Sequence, residues 1–222
     1  MKGLIGKKVG MTQVFDGDGN MVPVTIIDVN SCIVVGKRTA EKDKYTAVTL
    51  GFGEAKEKKL NKPEAGHVKK SGSAPRKFIK EFRISGDDLA KYNVGDAVKP
   101  DMFAKGELVD VSGITKGRGT QGVVKRWKFR GFGQTHGTHE YRKHPGAVGQ
   151  RKTPGRVYPN KKMPGHYGVE AVTTQNLTVV DVLADKGLLL VKGGIAGHND
   201  GVVIVKPSIK LAMRTAHKAK KK

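Results

Sequence analysis

Apolar residues along this chain come in short runs separated by turn formers, not in long helical stripes. Residues 11–15 and 21–29 flank Asp16-Gly17-Asp18-Gly19-Asn20. An Asp-Gly pair between apolar runs predicts a hairpin, because both residues tolerate the backbone a tight turn requires. Pro23 cannot donate to a ladder, so it belongs at a sheet edge or strand start. Residues 32–35 and 45–52 are Val- and Thr-rich and predict two more strands. Lys, Glu, Gly and Ser then dominate residues 54–75 and predict an exposed excursion. Phe78, Ile79, Phe82 and Ile84 are expected to return to the body. Residues 85–92 predict a short helix with Ser85 or Asp87 as its N-cap. Val94-Gly95-Asp96 is a turn, with Val98 and Phe103 packing inward after it. Leu108, Val109, Val111 and Ile114 make a further strand. Residues 177–182 and 188–191 flank Ala184-Asp185-Lys186-Gly187 as a second hairpin. Residues 201–205 form the last strand, which Pro207 ends. No internal repeat is visible. The fold class is mainly β: a closed or nearly closed barrel over residues 1–115 and 168–210, with a small mixed α/β insertion at about 60–100.

The pattern breaks between Ile114 and Leu177, where no Leu or Ile occurs. Residues 116–167 contain ten glycines and four prolines. With no Leu or Ile and only four valines, this stretch cannot bury enough apolar area to offset its ordering entropy. Trp127, Phe129, Phe132, Tyr141, Tyr158 and Tyr167 nevertheless place six of the chain's 13 aromatics there. A disordered linker loses its aromatics along with its aliphatics. Lys116, Arg118, Lys125, Arg126, Lys128, Arg130, Arg142, Lys143, Arg151, Lys152, Arg156, Lys161 and Lys162 oppose a single acid, Glu140, for a net +12 over 52 residues. Cations neutralise phosphates and release counterions. Aromatic faces and Arg planes stack on unpaired bases. The stretch therefore predicts a long, mostly irregular RNA-binding extension that orders against a folded polyanion.

Overall charge sharpens that reading. The 222 residues carry +22, with a pI of about 10.1. Residues 206–222 add +7 with no acid, so extension and tail account for +19 and the remaining body nets only +3. The chain is thus a near-neutral body (1–115 and 168–210), a basic extension (116–167) and a basic tail (211–222), and its expected partner is a polyanion. A membrane partner would call for an amphipathic helix or a lipidation signal, and neither is present. No stretch approaches 18 apolar residues. The opening MKGLIGKKVGM lacks the apolar segment of a secretory leader. Cys32, the single cysteine, excludes an intramolecular disulfide, suits a reducing cytoplasm and is expected in the core.

Catalytic and cofactor motifs are weak. Gly117-Arg118-Gly119-Thr120-Gln121-Gly122 matches G-x-G-x-x-G, but a dinucleotide site needs a helix after it, and residues 123–131 show no amphipathic period. His139-Glu140 suggests a zinc-protease motif, yet the next histidine, His144, is five residues on rather than four. Gly137 and Pro145 also oppose a helix. No Cys or carboxylate cluster completes a metal site with His136 and His139. His136, His139 and His144 are better placed as phosphate donors or stacking partners. No nucleophile motif is present. The expectation is no enzyme activity, no cofactor, no metal and no small-molecule substrate. Two other readings are an RNA-modifying enzyme with a substrate-threading loop and a DNA-architectural protein.

Several stretches resemble the bacterial type of the large-subunit ribosomal protein L3 family. They are Gly3-Leu4-Ile5-Gly6-Lys7-Lys8-Val9-Gly10-Met11-Thr12-Gln13-Val14-Phe15, the run from Val111 to Gly122, Pro145-Gly146-Ala147-Val148-Gly149-Gln150, and Lys161-Lys162-Met163-Pro164-Gly165. The resemblance spans essentially the whole chain. It implies a translation-protein-type β-barrel with a long extension into large-subunit (23S) ribosomal RNA. It further implies early binding in subunit assembly, an extension tip near the peptidyl-transferase centre, neighbouring ribosomal proteins against the barrel, and a ribosomal, cytoplasmic location. Gln150 matches the tip glutamine that is N5-methylated in some bacteria, which would make a glutamine methyltransferase a partner. Trp127 lies on the outgoing limb, so the tip tryptophan of eukaryotic relatives does not carry over to it. The expected RNA contacts are the thirteen cations with Trp127, His136, His139, His144 and Gln150.

Overall fold

A computed structural model describes residues 3–211 of the chain. The basic tail therefore lies outside the described residues from 212 onward, and so does the Asp87 side chain named as an N-cap candidate. In chain order the strands are β1 (Leu4–Phe15), β2 (Met21–Asp28), β3 (Cys32–Arg38), β4 (Ala47–Glu54), β5 (Arg76–Arg83), β6 (Leu108–Ile114), β7 (Thr120–Gln121), β8 (Gly165–His166), β9 (Ala171–Leu183), β10 (Leu188–Lys192) and β11 (Val202–Pro207). The helices are α1 (Ala40–Asp43), α2 (Lys62–Ser71), α3 (Gly86–Leu89) and α4 (Val123–Trp127). Within the described residues, 3–114 with 171–211 form one compact unit and Thr115–Glu170 another.

Six strands of the first unit close into a barrel in the order β1-β11-β6-β9-β10-β2. Every neighbouring pair is antiparallel. Closure leaves no barrel strand with an unpaired edge along its full length. The β1–β2 and β9–β10 hairpins fall where the turn residues predict them. Asp16 accepts the Asn20 N–H at 2.8 Å, and Gly187 (φ 60°) donates to Ala184 O at 3.0 Å. Pro23 occurs near the start of β2, beyond the last paired residue of β10, so its missing N–H breaks no ladder bond there.

β3, β4 and β5 form a separate three-stranded sheet. Its β3 side is covered by a bridge from Ile33 to Ala97. The two sheets share one core. Leu4, Ile5, Ile27, Val109, Val111, Leu189 and Val205 from the barrel meet Val34, Val48, Leu50, Phe52 and Phe82 from the second sheet. Each fully buried aliphatic side chain is worth about 1.5–3 kcal/mol. Cys32 belongs to this core, and burial pushes its thiol up to about 11, so it is no nucleophile at neutral pH. Two buried charges serve the fold. Lys8 Nζ donates to Ile195 O at 3.1 Å and Gly197 O at 3.4 Å. Asp110 accepts the Asn176 N–H at 2.9 Å and the Ile209 N–H at 3.1 Å. It thereby pins a register shift between β6 and β9, where Asn176 takes φ 58°.

Three expectations need correction. Residues 54–75 are not simply an excursion, because they contain the ten-residue helix α2. Asn61 stands at its N-cap, Pro63 lies in its first turn, and Glu64 accepts the Asn61 N–H at 3.0 Å. Phe78 and Ile79 do not return to the core and stay about 40% exposed. β5 is an edge strand paired only with β4, and of its apolar residues only Phe82 is buried. The helix expected over 85–92 is shorter, at Gly86–Leu89, with Ser85 at its N-cap. Val98 and Phe103 are buried as predicted. Among the described residues no helix is long and apolar enough to cross a membrane.

Candidate nucleic-acid interface

The second unit begins as a narrow two-stranded ribbon. Thr115 N–H donates to Glu170 O at 2.9 Å, and Val169 N–H donates to Thr115 O at 3.2 Å. Arg118 and Tyr167 continue it, with Arg118 N–H to Tyr167 O at 2.8 Å and Tyr167 N–H to Gly119 O at 2.9 Å. β7 and β8 then pair Thr120 with His166 and Gln121 with Gly165. Gly168 (φ 86°) allows the close approach, since a Cβ there would overlap the Lys116 carbonyl.

Beyond the ribbon the two limbs are cross-braced. α4 follows Gly122 and ends at Lys128, whose φ of 60° is left-handed. A helix thus does follow the G-x-G-x-x-G run, contrary to expectation. It has only five residues, because Val123 is its single buried side chain and no apolar stripe extends it. Its last turn places two donors on one acceptor. Arg126 Nη1 reaches Met163 O at 3.0 Å, and Trp127 Nε1 reaches the same oxygen at 2.8 Å. The Arg126 guanidinium lies 4.9 Å and the Lys162 ammonium 5.6 Å from the Trp127 ring. Arg126 and Trp127 therefore tie the outgoing limb to the returning one. Gly165 makes room for this, since a Cβ there would come within 2.6 Å of Arg126 Nη1.

A second cluster organises the outer part. Phe132 N–H donates to Arg142 O at 3.0 Å, and Gly131 (φ 71°) leaves space for that carbonyl. Tyr141 sits edge-on to Phe132 at 6.3 Å and against His144 at 4.6 Å. A 3-10 turn over His139–Lys143 carries Tyr141. His136 and His139 both have positive φ, 55° and 43°. Among the described residues no group of three His, Cys, Asp or Glu is arranged around a metal position.

Of the thirteen cations, all except Arg126 are exposed, as are His136, His139, His144 and Gln150. None of the thirteen forms an ion pair among the described residues. Glu140 and Glu170 are the unit's only acids. A guanidinium or ammonium without an internal counterion is free to meet a phosphate. Neighbours within a Debye length of about 8–10 Å add to one another's potential. Composition alone misses the Tyr141–His144–Phe132 cluster and the shared acceptor at Met163. The one advance hint of the first is aromatic and His residues spaced along 132–144.

An aromatic-bearing, unpaired cationic arm on a β-barrel body defines a protein built to hold a polyanion. The family model described as "Ribosomal protein L3" matches residues 54–188. The chain is 70% identical to large ribosomal subunit protein uL3 of Myxococcus xanthus over 220 residues, 99% of this chain and 98% of the relative. It is 49% identical to the protein of that name from Anaeromyxobacter sp., over 94% of this chain and 91% of the relative. For the Deinococcus radiodurans protein the identity is 47%, over 95% and 96%. The chain belongs to the ribosomal protein L3 family. That family is structural and not an enzyme family.

Proposed function

We propose that this chain is a structural constituent of the large ribosomal subunit in the cytoplasm, and that its arm binds large-subunit ribosomal RNA directly. One observation supports the RNA-binding assignment above the rest: thirteen cations in one arm, twelve of them exposed, none with an ion-pair partner among the described residues. Such a surface is electrostatically incomplete without a polyanion. Lys116, Arg118, Lys125, Lys128, Arg130, Arg142, Lys143, Arg151, Lys152, Arg156, Lys161 and Lys162 contact phosphates. His136, His139 and His144 donate to phosphate or stack. Arg126 and Trp127 hold the limbs together and present their remaining surface to the RNA.

The arm tip at residues 146–150 contributes to assembly and support of the peptidyl-transferase region. Gln150 is exposed there and carries a donor and an acceptor without charge, which suits a base or sugar contact. It is also the candidate N5-methylation site, with a glutamine methyltransferase as the modifying partner. Other large-subunit proteins flank the barrel. Sedimenting a lysate through gradients at moderate and high salt tests the reading. Stable migration with the large subunit is expected, and exclusive migration as free protein overturns it.

A further inference from the structure

The β1–β2 hairpin carries an apolar face that the barrel does not cover. β10 pairs with β2 only as far as Val24, and Gly193 N–H caps Pro23 O. Beyond that point β1 and β2 pair only with each other, Gln13 opposite Pro23, Val14 opposite Val22 and Phe15 opposite Met21. Directly opposed residues share a face, and faces alternate along a strand. Met11, Gln13, Phe15, Met21 and Pro23 therefore lie on one face of the ribbon. Met11 is 54%, Phe15 66% and Met21 58% exposed. On the opposite face Val14 and Val22 are half-buried and Val24 is buried. Past Thr25, which is buried opposite Met11, the larger apolar side chains thus occupy the side that the described residues leave exposed, a pattern that marks a docking surface.

Charge identifies what docks. The chain has 42 Lys and Arg, yet residues 9–36 contain none, while Asp16, Asp18 and Asp28 make that segment net −3. Lys192 is the cation near enough to Asp16 to act on it. Asp16 accepts the N–H groups of Asp18 at 3.1 Å and Asn20 at 2.8 Å, so the acidic tip is held in one shape before any partner arrives. A phosphate backbone would meet three carboxylates and methyl groups on a segment with no cation of its own, with Lys192 alone beside Asp16 among the described residues. A basic protein would find carboxylates for its Lys and Arg and an apolar strip for its aliphatic groups.

We propose that the Met11–Phe15–Met21–Pro23 face is the docking site for a second, cationic protein of the subunit, and that RNA does not occupy it. This rests on the chain being a ribosomal constituent. The test places photoreactive p-benzoylphenylalanine at Phe15 in the full chain, with the same residue at Tyr158 in the arm as a control. Purified large subunits are irradiated, treated with ribonuclease and analysed by mass spectrometry. The expected product at position 15 survives ribonuclease and joins a different protein through a segment of net positive charge. Met21→Ser should lower its yield about fivefold or more while chain occupancy in the subunit stays unchanged, in line with loss of one central apolar contact. An RNA adduct, an adduct to a second copy, an adduct to a neutral or acidic segment, or no adduct overturns the docking proposal. Absence of the chain from large subunits brings down the functional reading as well, and occupancy measured in the same sample separates the two failures.

Discussion

Replacing Arg142, Lys143 and Lys152 together with glutamine should flatten the salt dependence of RNA binding without disturbing the fold. All three side chains are exposed, and none makes an ion pair or side-chain hydrogen bond among the described residues. It is the Arg142 backbone carbonyl, not its side chain, that Phe132 uses. Each phosphate contact contributes roughly 0.7 to 0.9 to the log–log salt slope, so the triple variant should lose about 2 to 3 units. Between about 50 and 200 mM salt the affinity gap to the parent should then narrow roughly 20- to 40-fold. Fluorescence anisotropy with a large-subunit RNA fragment over a salt series measures the slope directly. Lys99→Gln with Lys105→Gln, two exposed body cations, is the control and should leave it nearly unchanged. An unaltered slope in the arm variant, or an equal loss in the body control, would refute the assignment of binding charge to the arm.

Trp127→Phe removes a donor to Met163 O and should cost about 1 kcal/mol locally, which is about fivefold faster hydrogen exchange around Arg126 and Tyr167 with barrel amides unaffected. Uniform exchange changes, or none, would deny the brace. If the limb cations supply most of the affinity, as proposed, replacing residues 146–150 by a short Gly-Ser turn should leave occupancy in subunits within about twofold. Subunit maturation, peptide-bond formation or sensitivity to drugs at that centre should nevertheless change, and unchanged values of all three would make the tip passive. Burial raises the Cys32 thiol from 9.0 to about 11, so the folded state keeps its proton where the unfolded chain loses it. That contribution is fully present below about pH 9 and is lost as pH rises through about 11, on the order of 2–3 kcal/mol. Denaturant titrations across that window should show a larger loss in the parent than in Cys32→Ala, because Tyr45 and Tyr92, whose pKa values are also raised, contribute to the loss in both.

Much of the barrel was legible because its signals are local. Asp16 to Asn20 and Ala184 to Gly187 name their own turns, and Pro207 ends its own strand. Which strands join which sheet is long-range information, and nothing in 32–35 or 45–52 announces that β3 and β4 leave the barrel. Helix α2 was missed for a different reason. Ala65 and Val68 are too few to make an apolar stripe, although Asn61, Pro63 and Glu64 spell out a helix start. The arm's cations and aromatics were visible as composition. The meeting of Arg126 and Trp127 with Met163, 36 or 37 residues away, depends on the ribbon that brings the limbs together. Trp127, expected from the sequence as an RNA contact, is also a brace between the limbs.

β6 ends at Ile114 and β9 begins at Ala171, and these two residues are direct partners in the ladder. From the barrel's side, then, the 56 residues of Thr115–Glu170 are a single hairpin connection. Loop closure grows only logarithmically with length, so lengthening or shortening such a connection costs the barrel little. The arm can therefore change in length or content without disturbing the barrel's own ladder. An engineer can graft a different insert at 114/171, or close the gap with a two-residue turn, and keep a foldable scaffold.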